Sequence, residues 1–210
     1  GLMKKSEDAK LTIQIKGDGP AGEILATAYG DVCVKGYISN PAAEAPNIRE
    51  GKLNVGGIVG RGMLTVIRDM GLKEPYVGKT DLVSGEIAED LTSYFAISEQ
   101  QATSVALGVF VGAEGAVENA GGFIIQMLPF PDEGAIAALE KLIADIPPIT
   151  ALLRETREID GASGTNCANS TNGTKELLAA IFKDMPEEYA PRILEERSIS
   201  WKCDCSSDRM

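Results

Sequence analysis

Hydrophobic and polar residues alternate near the start of the chain. Leu11, Ile13 and Ile15 are separated by Thr12, Gln14 and Lys16, a period of two that predicts a half-buried strand. Gly17-Asp18-Gly19-Pro20 breaks that pattern, and residues 23–29 and 32–39 are two more strand-length runs turned through Gly30-Asp31. Asn40-Pro41 closes the third run, and residues 41–51 form a polar, proline-containing loop. Two further strands are predicted over 63–67 and 75–82. Ser84 is placed to cap a helix, in which Ile87, Leu91, Tyr94 and Phe95 recur at helical spacing. Residues 103–111 and 121–128 are apolar runs of strand length joined by a turn at 112–115, and they predict a pair of buried strands.

The character changes at Pro129. Asp132 starts a predicted helix with Ile136, Leu139, Leu142 and Ile143 on one face, and Pro147-Pro148 stops it. A short helix over 149–155 and a polar, Gly-rich loop over 160–173 follow. Thr174 is placed to cap another helix, with Leu177, Leu178, Ile181 and Phe182 on one face. Residues 193–203 predict a last strand, with Ile199, Trp201 and Cys203 on one side. Strands, a helix, a strand pair and then helices predict an α+β fold built on a largely antiparallel sheet with packed helices.

Composition narrows the partners. The formal charge is -11, without the Lys and Arg excess that a phosphate-binding surface needs, so neither nucleic acid nor an anionic membrane is expected as a partner. No apolar run approaches the ~20 residues that cross a bilayer. The chain has no histidine, which removes Ser-His-Asp and Cys-His catalysis and every His-containing zinc site.

Several motifs carry candidate chemistry. Gly17-Asp18-Gly19-Pro20-Ala21-Gly22 has the G-x-G-x-x-G spacing, but a strand follows it where a dinucleotide site needs a helix N-terminus, so it reads as a hairpin turn. The stretch GKLNVGGIVGRG, from Gly51 to Gly62, lacks the Gly-Lys-Ser/Thr ending of a phosphate loop and reads as a flexible link. It supports one alternative function, an enzyme holding a phosphate-bearing ligand. Glu86, Glu89 and Asp90 read as a solvated helix face. Cys33 and Cys167 read as ordinary residues.

Cys203-Asp204-Cys205 is different. Both thiols can ligate one zinc ion, which then needs two more donors. They lie ~6.6 Å apart along a strand. A disulfide between them therefore needs a kink and is strained and labile. The spacing alone leaves a zinc ligand pair, a redox pair and an incidental pair open. A plain zinc-binding interaction module is a second alternative function.

The stretches KLTIQIKGDGPAGEI (10–24), VKGYISNP (34–41), GKLNVGGIVGRGMLTVIRDMGLKEPYVG (51–78), LVSGEIAEDLTSYFAISEQ (82–100), GGFIIQMLP (121–129) and WKCDCS (201–206) together resemble the heat-shock protein thirty-three family. The resemblance implies a cytoplasmic, non-enzymatic, ATP-independent holdase. In that family four cysteines, in C-x-C and C-x-x-C pairs, hold zinc in the reduced, inactive protein. Oxidation forms a disulfide within each pair and releases the zinc. Homodimers then hold unfolding clients and later pass them to foldase chaperones. Cys203 and Cys205 match the C-x-C pair, as zinc ligands when reduced and a disulfide when oxidised; the C-x-x-C pair has no match in this chain. The implied organisation is a chaperone core over 1–147, a helical linker and return strand over 148–202, and the start of a zinc-binding redox-switch domain over 203–210. With both ends of the family pattern missing and only half of the lock present, this chain is expected to bind clients without oxidation.

Overall fold

The computed structural model describes residues 9–46, 48, 52–112, 115–160 and 171–201. In chain order these form β1 (Lys10–Gly17), β2 (Glu23–Tyr29), β3 (Cys33–Ile38), α1 (Val55–Val59), β4 (Gly62–Asp69), β5 (Tyr76–Asp81) and α2 (Ile87–Ser98). There follow β6 (Thr103–Val111), β7 (Val117–Gln126), α3 (Glu133–Asp145), α4 (Ile149–Asp160), α5 (Thr171–Ile181), a 3-10 turn at Glu187–Tyr189 and β8 (Ser200–Trp201). The α+β fold and the mostly antiparallel sheet agree with the sequence reading. By packing, the described chain forms two units, one of residues up to 102 with those from 199 onward, the other over 103–198. The units part inside the stretch 1–147 that the sequence reading takes as one core.

The first unit is a six-stranded sheet in the order β5-β4-β1-β2-β3-β8. Its neighbours are antiparallel except β3 and β8, which run parallel. Pairing of Ile15 with Ile24 and Leu64, and of Ile13 with Ala26 and Val66, gathers the aliphatic residues of three strands on one face. Lys10, Thr12, Gln14 and Lys16 point to the other face, where Thr12 meets Thr27 at 3.2 Å. Helix α2 lies on the β4–β5 end of the apolar face, burying Leu91, Tyr94 and Phe95. Each such burial contributes roughly 1.5–3 kcal/mol. The third strand starts at Cys33 and not at Val32, because Val32 has φ 65, outside the extended region.

Residues 55–59 depart from the expected flexible link: they form the single turn α1. The Asn54 side chain caps it, accepting from the Gly57 N–H at 2.8 Å. Its glycines permit close approach, since a Cβ on Gly56 would lie 2.7 Å from the Ser84 carbonyl oxygen. Ser84 itself does not cap α2; its hydroxyl accepts from the Glu86 N–H at 3.2 Å, ahead of the helix.

In the second unit β6 and β7 make a two-stranded antiparallel ribbon with a bulge between Phe110 and Val111. Helix α4 packs on one of its faces and α5 packs on α4. Gly108 and Gly121 pair across the ribbon, and a Cβ on either would come within 2.8 Å of Ile149 or Leu153. The core is Leu142, Leu152, Leu153, Leu177 and Ile181, with Phe123 against it. Helix α5 begins at Thr171, which puts Thr174 inside it and not at its cap. Of the strand predicted over 193–203, residues 193–199 are irregular and Ser200–Trp201 pair with Cys33 and Val34, while residues 202 and 203 lie outside the described residues.

Candidate functional site

Cys203 and Cys205 lie outside the described residues, as does Cys167. The strand that leads to them is described. In β8, Ser200 and Trp201 pair with Cys33 and Val34. The Cys33 thiol sits 3.2 Å from the Ser200 hydroxyl and is unbridged. The Trp201 ring lies over Gly36, where a Cβ would meet it at 3.3 Å. Among the described residues no group of three or more His, Cys, Asp or Glu could hold a metal ion. The donor set that the sequence supplies, two thiols at C-x-C, fits half of a tetrahedral thiolate site.

The two Gly-rich segments that resemble nucleotide motifs grip each other. Asp18, Gly19 and Ala21 donate their N–H groups to the carbonyls of Arg61, Val59 and Ile58, at 2.8, 3.0 and 3.0 Å. The Asp18 carboxylate accepts from the Arg61 N–H at 2.6 Å. The N–H groups of Asp18, Gly19, Ala21 and Arg61 are thereby spent on this interlock.

Of the three carboxylates read as a solvated helix face, Asp90 is corrected. It is buried, and one oxygen accepts from the Val83 and Ser84 N–H groups at 2.7 and 3.1 Å. It ties down the turn before α2. Nearby, the Tyr94 hydroxyl donates to Glu99 at 2.8 Å, and Arg68 meets the same Glu99 oxygen at 2.6 Å while lying over the Tyr76 ring. Burial first, and then the Glu99 carboxylate, push the Tyr94 phenol above its ordinary range. Both arrangements are structural: they hold α2 to the sheet.

The remaining candidate is an apolar surface. The face of the β6–β7 ribbon turned away from α4 carries Val105, Leu107, Val109, Ala120, Gly122 and Ile124, by the pairing of Val105 with Ile124, Leu107 with Gly122 and Val109 with Ala120. Leu107 is 48%, Val109 45% and Ile124 51% exposed. The unbroken apolar runs therefore do not make buried strands: one face packs on helices and the other is open. Sequence reasoning missed this surface because an apolar run looks the same whether one face or both are covered. Further exposed aliphatics, Ile193, Leu194 and Ile199, lie along the irregular segment before β8. Such concentrations of apolar area mark binding surfaces for other chains. No helix among the described residues is long and apolar enough to cross a membrane.

A family model described as Hsp33 protein matches residues 1–210. The 33 kDa chaperonin of Ruminiclostridium cellulolyticum is 43% identical over 208 residues, which cover 99% of this chain and 64% of that protein. The 33 kDa chaperonin of Clostridium perfringens strain SM101 is 44% identical over 212 residues, covering 100% of this chain and 61% of that protein. The crystal structure of the 33 kDa chaperonin from Thermotoga maritima superposes with a TM-score of 0.75 at 35% identity, over 97% of this chain and 63% of that one. The chain thus spans less than two thirds of the length of each of these relatives.

Proposed function

Because this chain belongs to the Hsp33 protein family, we propose that it is the body of an ATP-independent holdase chaperone that binds unfolding proteins and keeps them from aggregating. The observation that carries this reading is the open apolar face of the β6–β7 ribbon, where Leu107, Val109 and Ile124 stand about half exposed. Burying such area against an unfolding chain gains roughly 25 cal/mol per Å² and needs no nucleotide. The proposed work is binding and not bond-making, carried out in the cytoplasm, with homodimers as the active form and foldase chaperones receiving the clients.

Regulation in this proposal belongs to Cys203 and Cys205. They would be zinc ligands in the reduced protein, completed by a second cysteine pair. Bound zinc supplies folding energy to the segment that holds it. Under oxidant the two thiolates would give two electrons to hydrogen peroxide, which takes two protons from solvent and leaves as two waters, and a disulfide would join the sulfurs as the zinc is released.

The test is thermal aggregation of a labile reporter followed by light scattering, with this chain reduced and after peroxide. Suppression is expected, and comparison of the two states reads the part played by Cys203 and Cys205. Scattering unchanged by the chain in either state would overturn the holdase reading.

A further inference from the structure

The ribbon face has an electrostatic setting that its apolar residues do not reveal. From residue 103 to residue 140 the second unit contains no Lys or Arg, while Glu114, Glu118, Asp132, Glu133 and Glu140 all fall in that stretch. The second unit as a whole, over 103–198, holds fifteen Asp and Glu against seven Lys and Arg. The ribbon thus belongs to a unit of net negative charge, which biases the potential over that unit's surface toward negative. Low-dielectric apolar walls strengthen that potential locally.

The shape of the ribbon adds a second constraint. Val105, Leu107 and Val109 stand at alternate positions of β6 and so at the ~6.6 Å repeat of an extended chain. Among the described residues β6 and β7 pair only with each other, so each strand has an outer edge without a strand partner. An extended segment laid along such an edge continues the pleat and presents every second side chain to the same face. A helical occupant would not continue the strand edge.

We infer that the outer face of the β6–β7 ribbon selects extended aliphatic segments flanked by Lys or Arg, and rejects the same segments flanked by Asp or Glu. The inference rests on the holdase reading and names the class of client segment for its surface. Apolar contact with Val105, Leu107, Val109 and Ile124 supplies the affinity, and the surplus of carboxylates sets which segments arrive and stay.

The experiment uses the whole chain and three labelled peptides that share one alternating Val/Leu core and differ only in Lys, Ser or Glu flanks, with binding read by fluorescence anisotropy. The Lys-flanked peptide is expected to bind about five- to tenfold more tightly than the Glu-flanked one in about 50 mM salt, with the Ser-flanked peptide between them. The spread is expected to shrink to about twofold in about 300 mM salt. L107S and I124S, at positions already half exposed, should weaken all three peptides with the circular dichroism spectrum unchanged. L72S, at a residue 74% exposed in the first unit, should weaken none. V109K should reduce or reverse the order of the flanks.

Equal affinities for the three peptides, or an order untouched by V109K, would overturn the charge selection. Peptide binding unaffected by L107S and I124S would overturn the ribbon as its site, as would loss of self-association in those variants with peptide binding intact. If reporter aggregation is still suppressed in any of these cases, the holdase reading stands and only this inference falls. If the chain suppresses no aggregation at all, the reading beneath it falls.

Discussion

Three glycine substitutions separate the two reasons a glycine can be required. Gly71 has φ +71 and nothing within 4 Å of where a Cβ would be, so G71A carries only the backbone strain, about 1–2 kcal/mol. Gly17 shows no positive φ, but a Cβ there would lie 1.8 Å from the Val59 carbonyl oxygen. That oxygen accepts from Gly19 and cannot retreat without loosening the interlock, so G17A costs about 1–3 kcal/mol of overpacking and about 1 kcal/mol per hydrogen bond disturbed. Gly60 combines both terms: its φ is +76 with ψ -158, and a Cβ would meet the Asp18 carboxylate at 2.2 Å and the Gly19 nitrogen at 2.5 Å. The backbone term alone is about 1–3 kcal/mol, and the two together come to about 2–6 kcal/mol. Against a typical total of about 5–15 kcal/mol, G60A removes a large share of the first unit's stability. The assay is urea unfolding followed by far-UV circular dichroism and by fluorescence of Trp201, the chain's one tryptophan. The expected order of loss is G60A, then G17A, then G71A. If G17A is as stable as the parent, or G71A as damaging as G60A, the interlock is not what these glycines serve.

Two further outcomes follow from the tyrosines. Y94F should cost about 1.5–3 kcal/mol, the worth of a hydrogen bond to a charged group, while Glu99 keeps Arg68. Because the Tyr94 phenol is raised, chiefly by burial, its contribution is complete below about pH 10 and fades as the pH climbs beyond that, so Y94F should flatten the alkaline limb of a urea-midpoint profile; parallel limbs would refute this. At Tyr189 the hydroxyl donates to Asp132 at 2.8 Å and holds its carboxyl below the ordinary 3.8, a contribution present above that value and lost as the pH falls through the lowered one. Y189F should raise the Asp132 pKa toward 3.8 in a carbon-detected NMR titration, and an unmoved titration would remove Tyr189 as the cause.

Much of this fold is legible in the sequence wherever one periodicity prevails. Leu11, Ile13 and Ile15 alternate cleanly, and β1 follows. Residues 23–29 and 103–111 are strands with the bounds their apolar runs suggest. What fails does so for physical reasons. Gly56 and Gly57 disfavour helix by propensity, yet α1 forms because a capping Asn54 and the docked 17–22 turn outweigh it. Asp90 has the composition of a solvated helix face, and only the fold brings the N–H groups of Val83 and Ser84 to it. The strand expected over 193–203 needs a partner edge that sequence periodicity cannot supply. The ribbon surface was hidden for the converse reason: its residues are apolar enough for a core, and only the fold shows that α4 covers the opposite face of the ribbon. The C-x-C pair was legible as chemistry, and its residues lie outside the described structure.

The short parallel strand β8 also sets a timetable. Its Ser200 pairs with Cys33, 167 positions earlier in the chain. A ribosome adding about 5–20 residues per second needs roughly 10–30 s to cover that interval. Through that time the outer edge of β3 is made but has no β8 to pair with, while the whole second unit is synthesised and can fold as a block between the two parts of the first. Closing the sheet is therefore the last native event of this region to become possible. As the sheet's edge strand it is also among the first to reopen, and amide exchange at Ser200 and Trp201 should outpace that of β1 and β4 inside the sheet.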